Sequence, residues 1–284
     1  MKLITIVGAR PQFIKASVLS RLIKQEPDLK EVLVHTGQHF DENMSDVFFE
    51  SMDIAQPDYQ LEVNSMSHGA MTGAMLTKIE EVLIKENPNL VIVYGDTNST
   101  LAGALAAQKL HIPVAHIEAG LRSFNMAMPE ETNRIITDRI SSLLFTPTST
   151  AYENLKKEGY DNIDCEIIQS GDIMLDAALY YADISSKKAK LKFKLPEKFV
   201  LTTIHRAENT DNFARLESIV NALNKLHKEI PVLLPLHPRT KKMIDKFDLS
   251  LKVKTFSPLG YFEMIELLKK CSLVITDSGG LQKE

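Results

Sequence analysis

Asp96, Glu118 and the adjacent pair Glu130-Glu131 are the residues whose types and spacing point to chemistry first. Asp96 and Glu118 each follow a short apolar run, 90–94 and 114–117, of the length of a buried strand. A helical pattern separates the runs, which is the layout of a β-α-β unit. Open parallel sheets bind ligands outside the carboxyl ends of their strands, so both acids are directed at such a crevice. Glu130 and Glu131 follow Pro129 at the expected start of the next helix, where neighbouring positions diverge, so at most one of them faces the crevice. Arg134 lies four residues after Glu130, at the right spacing to pair with it. Carboxylates gathered at one crevice form a proton-transfer arrangement. Asp96 also fits as the cap of a helix starting near Asn98. Glu118, beside glycine after a buried strand, would be costly if left unpaired.

A second set of residues suits phosphate. Gly8-Ala9-Arg10-Pro11 follows the first apolar run and opens a helix with Pro11 near its first position. Free N–H groups there, the Arg10 guanidinium and Lys15 one turn on would make an anion site, although a plain strand–helix turn reads equally well. Thr276-Asp277-Ser278-Gly279-Gly280 repeats the device late in the chain, its glycines letting the backbone approach a ligand. Between the two lie His205-Arg206 and His237-Pro238-Arg239, each at a strand's C-terminal end. Both sets together match a diphosphate, while a surface histidine capping a strand is the plainer alternative. His35-Thr36-Gly37-Gln38-His39 is another polar strand end suited to line the crevice. His116-x-Glu118 could place two ligands on one strand face, but no Asp-x-Asp motif appears and no metal is expected.

Ten strand-like runs position these groups: 3–7, 32–35, 90–94, 114–117, 143–145, 165–168, 199–204, 232–236, 253–256 and 273–276. Helical periodicity fills most of the gaps, so the chain reads as α/β, with parallel doubly wound sheets covered on both faces. The alternation stops between Gly171 and Pro196 and restarts at Phe199. Two Rossmann-like domains are expected, 1–170 with the carboxylates and 171–284 with the phosphate-binding groups, facing each other across a cleft. The second has four strands and stops at TDSGGLQKE as a helix begins, which reads as truncation.

The 284 residues are 44% hydrophobic and 25% charged, as in a soluble globular protein. A net charge of −4 gives no reason to expect nucleic acid or an anionic membrane as partner. Cys165 and Cys271 lack metal or redox spacing and read as buried thiols of a reducing cytosol. MKLITIVGAR turns polar too early for a signal peptide or a membrane span. The lysine-rich 187–194 reads as a solvated linker face, and Met44, Met52, Met66, Met71 and Met75 as core or loop filler.

GARPQFIK, TGQH, YGDTNST, HIEAGLRS, MPEETNR, IHRAEN and TDSGGLQKE, in this order, resemble the UDP-N-acetylglucosamine 2-epimerase family along the whole chain. The resemblance implies a glycosyltransferase-B architecture and inversion at C2 of a UDP-linked sugar, without a cofactor. It implies elimination of UDP to a glycal and re-addition with the proton returned to the other face. Crowded carboxylates would supply an acid as well as a base. Asp96, Glu118 and Glu130 then match catalytic carboxylates and His205 a leaving-group histidine. Arg10, Lys15, Arg134, His237, Ser278, Gly279, Gly280 and Glu284 match substrate-binding positions, with Glu284 at the ribose and Ser278 and its glycines at the diphosphate. A cytoplasmic homodimer supplying cell-envelope polysaccharide precursors is implied too. QHFDEN and NSMSHGAMTG depart from the Arg-Gln pair and second glutamine by which many members bind an activating UDP-sugar. SFNMAMPEE and LPLHPRT look closer to the branch acting on UDP-2,3-diacetamido-2,3-dideoxy-glucuronic acid.

Overall fold

Strands that are apolar along their whole length must be covered on both faces, and the chain arranges this twice. The structure is a computed structural model that describes residues 1–38, 56–191 and 193–284, with Arg10 by its backbone alone. It forms two compact units, Met1–Ala177 and Ala178–Glu284. The first holds β1 (Lys2–Val7), β2 (Lys30–His35), β3 (Tyr59–Gln60), β4 (Leu90–Tyr94), β5 (Val114–Ile117), β6 (Leu143–Thr146) and β7 (Glu166–Gln169). They make one sheet in the order β3-β2-β1-β4-β5-β6-β7, every pair parallel. Its helices are α1 (Arg10–Ile23), α2 (His68–Glu86), α3 (Asn98–Lys109), α4 (Pro129–Ile140) and α5 (Ser149–Lys157), and α6 (Ile173–Lys188) leads on into the second unit.

That unit holds β8 (Val200–Thr203), β9 (Val232–Pro235), β10 (Lys254–Phe256) and β11 (Leu273–Thr276) in the order β10-β9-β8-β11, again parallel. Its helices are α7 (Ala207–Thr210), α8 (Phe213–Leu226), α9 (Pro238–Lys246), α10 (Tyr261–Lys270) and α11 (Gly279–Lys283). In each sheet the order reverses at one point, between β1 and β4 in the first unit and between β8 and β11 in the second. Such a reversal opens a crevice at the strands' carboxyl ends. Asp96 follows β4, and Asp277-Ser278 follow β11, at these two points.

The cores follow from strand alternation. In the first unit Ile4, Ile6, Val91 and Val93 meet Met75, Ile79 and Leu83 of α2 and the alanines 102, 104, 106 and 107 of α3. Short side chains on α3 let it sit close to the sheet. In the second, Val200, Val232 and Leu234 pack against Leu223 of α8, while Leu201 and Leu233 face the other way against Leu267 of α10. Each fully buried aliphatic side chain contributes about 1.5–3 kcal/mol relative to exposure.

The α/β class with parallel sheets expected from the sequence therefore holds, and all ten apolar runs are strands to within two residues at either end. The sequence reading misses β3, a two-residue edge strand without an apolar run to announce it.

Gly120 has φ +78°, and a Cβ there would lie 2.3 Å from the carbonyl oxygen of Ala151 in α5. Gly120→Ala is expected to lower the unfolding free energy by about 2–4 kcal/mol. Gly73→Ala, in α2 with open space around it, should raise it by up to about 1 kcal/mol. Urea denaturation of the two variants checks this, and equal effects would contradict it.

Candidate active site

The β4–β5 register sets the site. Tyr94 pairs with Ile117, and Gly95 N donates to Ile117 O at 2.9 Å, so the chains carrying Asp96 and Glu118 leave the sheet side by side. Gly95 turns out of β4 with φ +63°. Glu118 adopts φ +71°, a conformation that costs a side-chain-bearing residue about 1–3 kcal/mol and that collects at functional sites. Arg134 NH2 donates to Asp96 Oδ2 at 2.5 Å, and Asn133 Nδ2 donates to the Asp96 carbonyl at 2.9 Å. Glu118 Oε2 is bound by Lys15 Nζ, and both residues are buried. A Cβ on Gly95 would lie 3.4 Å from that carboxylate oxygen and 3.6 Å from the ammonium. The two acids and their cations therefore share one small region. Each of these two acids has its own cation.

Pro129 at the start of α4 and two glutamates in its first turn suit a helix N-terminus with its positive dipole end. The glutamates separate as adjacent positions must. Glu130 is half-buried and has no hydrogen bond or ion pair to any described residue. Glu131, 1% exposed, accepts from Ser123 N at 2.9 Å, Ser123 Oγ at 2.9 Å and Phe124 N at 2.8 Å. Arg134 NH1 donates to it at 2.6 Å. Arg134 thus bridges Glu131 and Asp96, and its expected pairing with Glu130 is not formed: the (i, i+3) partner already holds it. Burial would raise the Glu131 carboxyl, but the bonds from Ser123, Phe124 and Arg134 outweigh it and hold the carboxyl at about 2.

At the end of β1 the expected anion site is differently filled. Gln12 Oε1 accepts from Gly8 N at 2.8 Å and Ala9 N at 3.1 Å, so these amides are occupied within the protein. Gln12 Nε2 reaches Tyr94 O at 2.7 Å and Thr100 Oγ1 at 3.0 Å, fastening α1 to β4 and α3. The Arg10 side chain lies outside the described residues, as does His39. The preceding polar strand end packs on α3 instead: Thr36 Oγ1 lies 2.8 Å from Ser99 Oγ, and Ser99 N donates to Gln38 Oε1 at 3.0 Å. Helix α3 is capped by Thr97, not by Asp96. A cavity of about 410 Å³, the size of a small-molecule site, opens beside these elements, lined by His68, Thr72, Asn98, Pro129, Thr132 and Asn133.

In the second unit, Asp277 accepts from the backbone N–H of His205 at 3.1 Å, of Arg206 at 3.0 Å, and from Asn209 Nδ2 at 3.1 Å. Its Oδ1 lies 3.2 Å from His205 Nδ1. Burial alone would raise the Asp277 carboxyl, and the three donors with His205 bring it below the ordinary range. His205 and His237 lie with ring centres 5.8 Å apart. His237 Nδ1 accepts from Arg239 N, capping α9, and its pKa is lowered by burial and then by the neighbouring His205 and Arg239. Ser278 caps α11 through Leu281 N at 3.3 Å, Gly279 faces the Arg206 guanidinium, Gly280 is the second residue of the helix, and Glu284 is its C-cap.

The first unit thus gathers Lys15, Asp96, Glu118 and Arg134, with Glu130 in the same helical turn as Arg134's partner, and the second gathers His205, His237, Ser278 and Gly279. Gln12, Asn133 and Asp277 hold these groups in ways the sequence reading does not assign, and of the pair Glu130-Glu131 it is Glu131 that is tied into the protein. Asp277 was within reach, being the acid in a strand-end run already singled out. Gln12 and Asn133 carry no local signal.

The Glu131 carboxyl, ordinarily near 4.5, is held at about 2 in the folded protein. A lowered folded value adds stability above the unfolded value that is lost as pH falls through the folded one. Glu131→Gln should therefore lower stability at neutral pH by up to about 3 kcal/mol. The gap to wild type should close between about pH 4.5 and pH 2, as read by thermal denaturation across that range.

Residues 21–284 match the family model described as UDP-N-acetylglucosamine 2-epimerase. A UDP-2,3-diacetamido-2,3-dideoxy-D-glucuronate 2-epimerase of Pseudomonas aeruginosa is 57% identical over 285 residues, covering 100% of this chain and 80% of its own length. The UDP-N-acetylglucosamine 2-epimerase of Methanocaldococcus jannaschii, solved in complex with UDP-GlcNAc and UDP, is 43% identical. It superposes with a TM-score of 0.85 over 99% of this chain and 80% of that one. The Neisseria meningitidis UDP-GlcNAc 2-epimerase bound to UDP-GlcNAc is 28% identical, with a TM-score of 0.86 over 100% and 80%. With a family match along most of its length and relatives this similar end to end, the chain belongs to the UDP-N-acetylglucosamine 2-epimerase family.

Proposed function

We propose that the protein inverts C2 of a UDP-linked N-acetylated sugar, interconverting UDP-GlcNAc and UDP-ManNAc, by elimination and re-addition of UDP. The observation that carries this reading is the convergence of Asp96 and Glu118, each beside its own cation, at the carboxyl ends of β4 and β5. The C2 proton is not next to a carbonyl and becomes removable only as the C1–O bond to the diphosphate breaks. A carboxylate takes the C2 proton, the C2–H electron pair becomes the C1=C2 bond, and the C1–O pair leaves with UDP. Return of UDP to C1, with a proton delivered to the opposite face of C2, completes the inversion. No electrons are gained or lost overall, so no nicotinamide is called for.

In this reading residues 1–170 act at the sugar and 171–284 hold the UDP. Asp96, Glu118 and Glu130 share the proton traffic and the positive charge at C1, with Glu130 available because no described side chain engages it. Lys15 and Arg134 orient the acids they pair with, and Arg10 adds charge for the diphosphate. His205 donates to the departing oxygen, with Asp277 supporting its Nδ1 side. His237, Ser278, Gly279 and Gly280 serve the diphosphate and Glu284 the ribose. The reading makes the enzyme a cytoplasmic homodimer supplying cell-envelope polysaccharide precursors. Among the described residues no helix is long and apolar enough to cross a membrane.

A second substrate, UDP-2,3-diacetamido-2,3-dideoxy-glucuronic acid, is favoured by the Pseudomonas relative at 57% identity. Incubation with each UDP-sugar in heavy water, followed by proton NMR, decides between them. The true substrate should lose its C2 proton signal and yield the C2 epimer still linked to UDP. Free sugar with UDP would indicate a hydrolase, and no C2 exchange with either compound would overturn the reading. Asp96→Asn and Glu118→Gln should each lower turnover by at least about 100-fold while UDP binding, followed by calorimetry, persists.

A further inference from the structure

His116 is fully buried in β5, and both of its ring nitrogens face acceptors. Nε2 lies 2.7 Å from the carbonyl oxygen of Gly95, and Nδ1 lies 2.6 Å from Asp138 Oδ1. A carbonyl oxygen only accepts, so Nε2 carries a proton. Asp138 is 1% exposed, and its other oxygen receives Arg122 NH1 at 2.7 Å and Gly120 N at 3.1 Å. A carboxylate that takes a guanidinium and an amide on one oxygen is ionised and only accepts, so Nδ1 carries a proton as well. Both nitrogens are thus engaged by the protein itself. Among the described residues the other charged or titratable groups around the pair include Glu158, which holds Arg122 through two bonds of 2.8 Å, Arg139, the Tyr160 phenol and the Cys165 thiol.

We propose that His116 is a buried imidazolium which, together with Asp138, positions the two segments that carry Asp96 and Glu118. The inference rests on the 2-epimerase reading for its consequence in turnover, though not for the protonation state. The Gly95 carbonyl belongs to the peptide whose N–H is that of Asp96, so the imidazolium grips the chain one bond from the acid. Asp138 grips Gly120, two residues beyond Glu118. One carboxylate on α4 therefore fastens the turns after both β4 and β5, and α4 also supplies Glu130, Glu131, Asn133 and Arg134. A neutral ring would surrender one of its two bonds, and one turn would come loose. His116 and Asp138 act through their neighbours and are positioning residues.

Nitrogen-15 NMR of the protein with labelled histidine, with His116 assigned by its loss in His116→Gln, reads the ring directly. Both ring nitrogens should be protonated at neutral pH, as the two acceptors require, and a single protonated nitrogen there would overturn the proposal. Asp138→Asn should lower kcat by about 100-fold with KM little changed, and should speed amide exchange at Gly95 and Gly120. His116→Gln combined with Asp138→Asn should cost no more than the worse single change, as expected for residues acting as one unit. Additive losses, a fall confined to KM, or unaltered exchange would refute the positioning role. Should Asp138→Asn fail to fold, His116→Gln carries the kinetic and exchange measurements. If the wild type turns over neither UDP-sugar, the function reading fails, while the ring spectra and amide exchange still decide this one.

Discussion

Parallel pairing of β4 with β5, with Tyr94 opposite Ile117, is the constraint on which the site depends. It makes two strands end at the same level, so that the residues just beyond them project into the same region. Slipping the register by one residue would turn every side chain of a strand to the other face, burying what should be free and exposing the core. Stability and function therefore select the same register. The burial of Val91, Val93 and Val114 enforces it, and the placement of Asp96 and Glu118 follows.

Electrostatics then shape what the strands deliver. A buried carboxylate is costly unless paired, and Glu118 is held by Lys15, while the half-buried Asp96 is held by Arg134. Glu131 spends its charge on structure, organising the chain from Ser123 to Phe124 and fixing Arg134, which in turn fixes Asp96. Glu130, one position earlier, has no hydrogen bond or ion pair to any described residue. The second unit uses the same economy: Asp277 binds two backbone amides and Asn209, and through them shapes the turn bearing His205.

What was legible in the sequence is what depends on position along an element. Apolar runs marked the strands, and an acid or histidine directly after such a run could be assigned to the crevice. Pro129 marked the start of α4. Partner choice was not legible, because it depends on contacts between distant segments. Arg134 sits at a spacing that allows Glu130 or Glu131, and only the packing of the 121–128 chain against α4 selects the latter. Gln12 was invisible for the same reason: its partners lie 82 and 88 residues away. The Gly8 and Ala9 amides looked free for an anion because nothing local shows that Gln12 takes them. The partner of His116 was equally hidden, because Asp138, which claims its ring, lies 22 residues on.

The central claim is that the proton leaves C2 because the bond from C1 to the diphosphate opens, with carboxylates at one end of that event and hydrogen-bond donors at the other. Positional isotope exchange tests it most directly. A UDP-sugar labelled with oxygen-18 in the bridge between C1 and the β-phosphorus is incubated with the enzyme, and the remaining substrate is examined by phosphorus NMR. The account predicts that the label spreads into the non-bridging β-phosphate positions as epimerisation proceeds. Epimerisation with the label retained wholly in the bridge would contradict it.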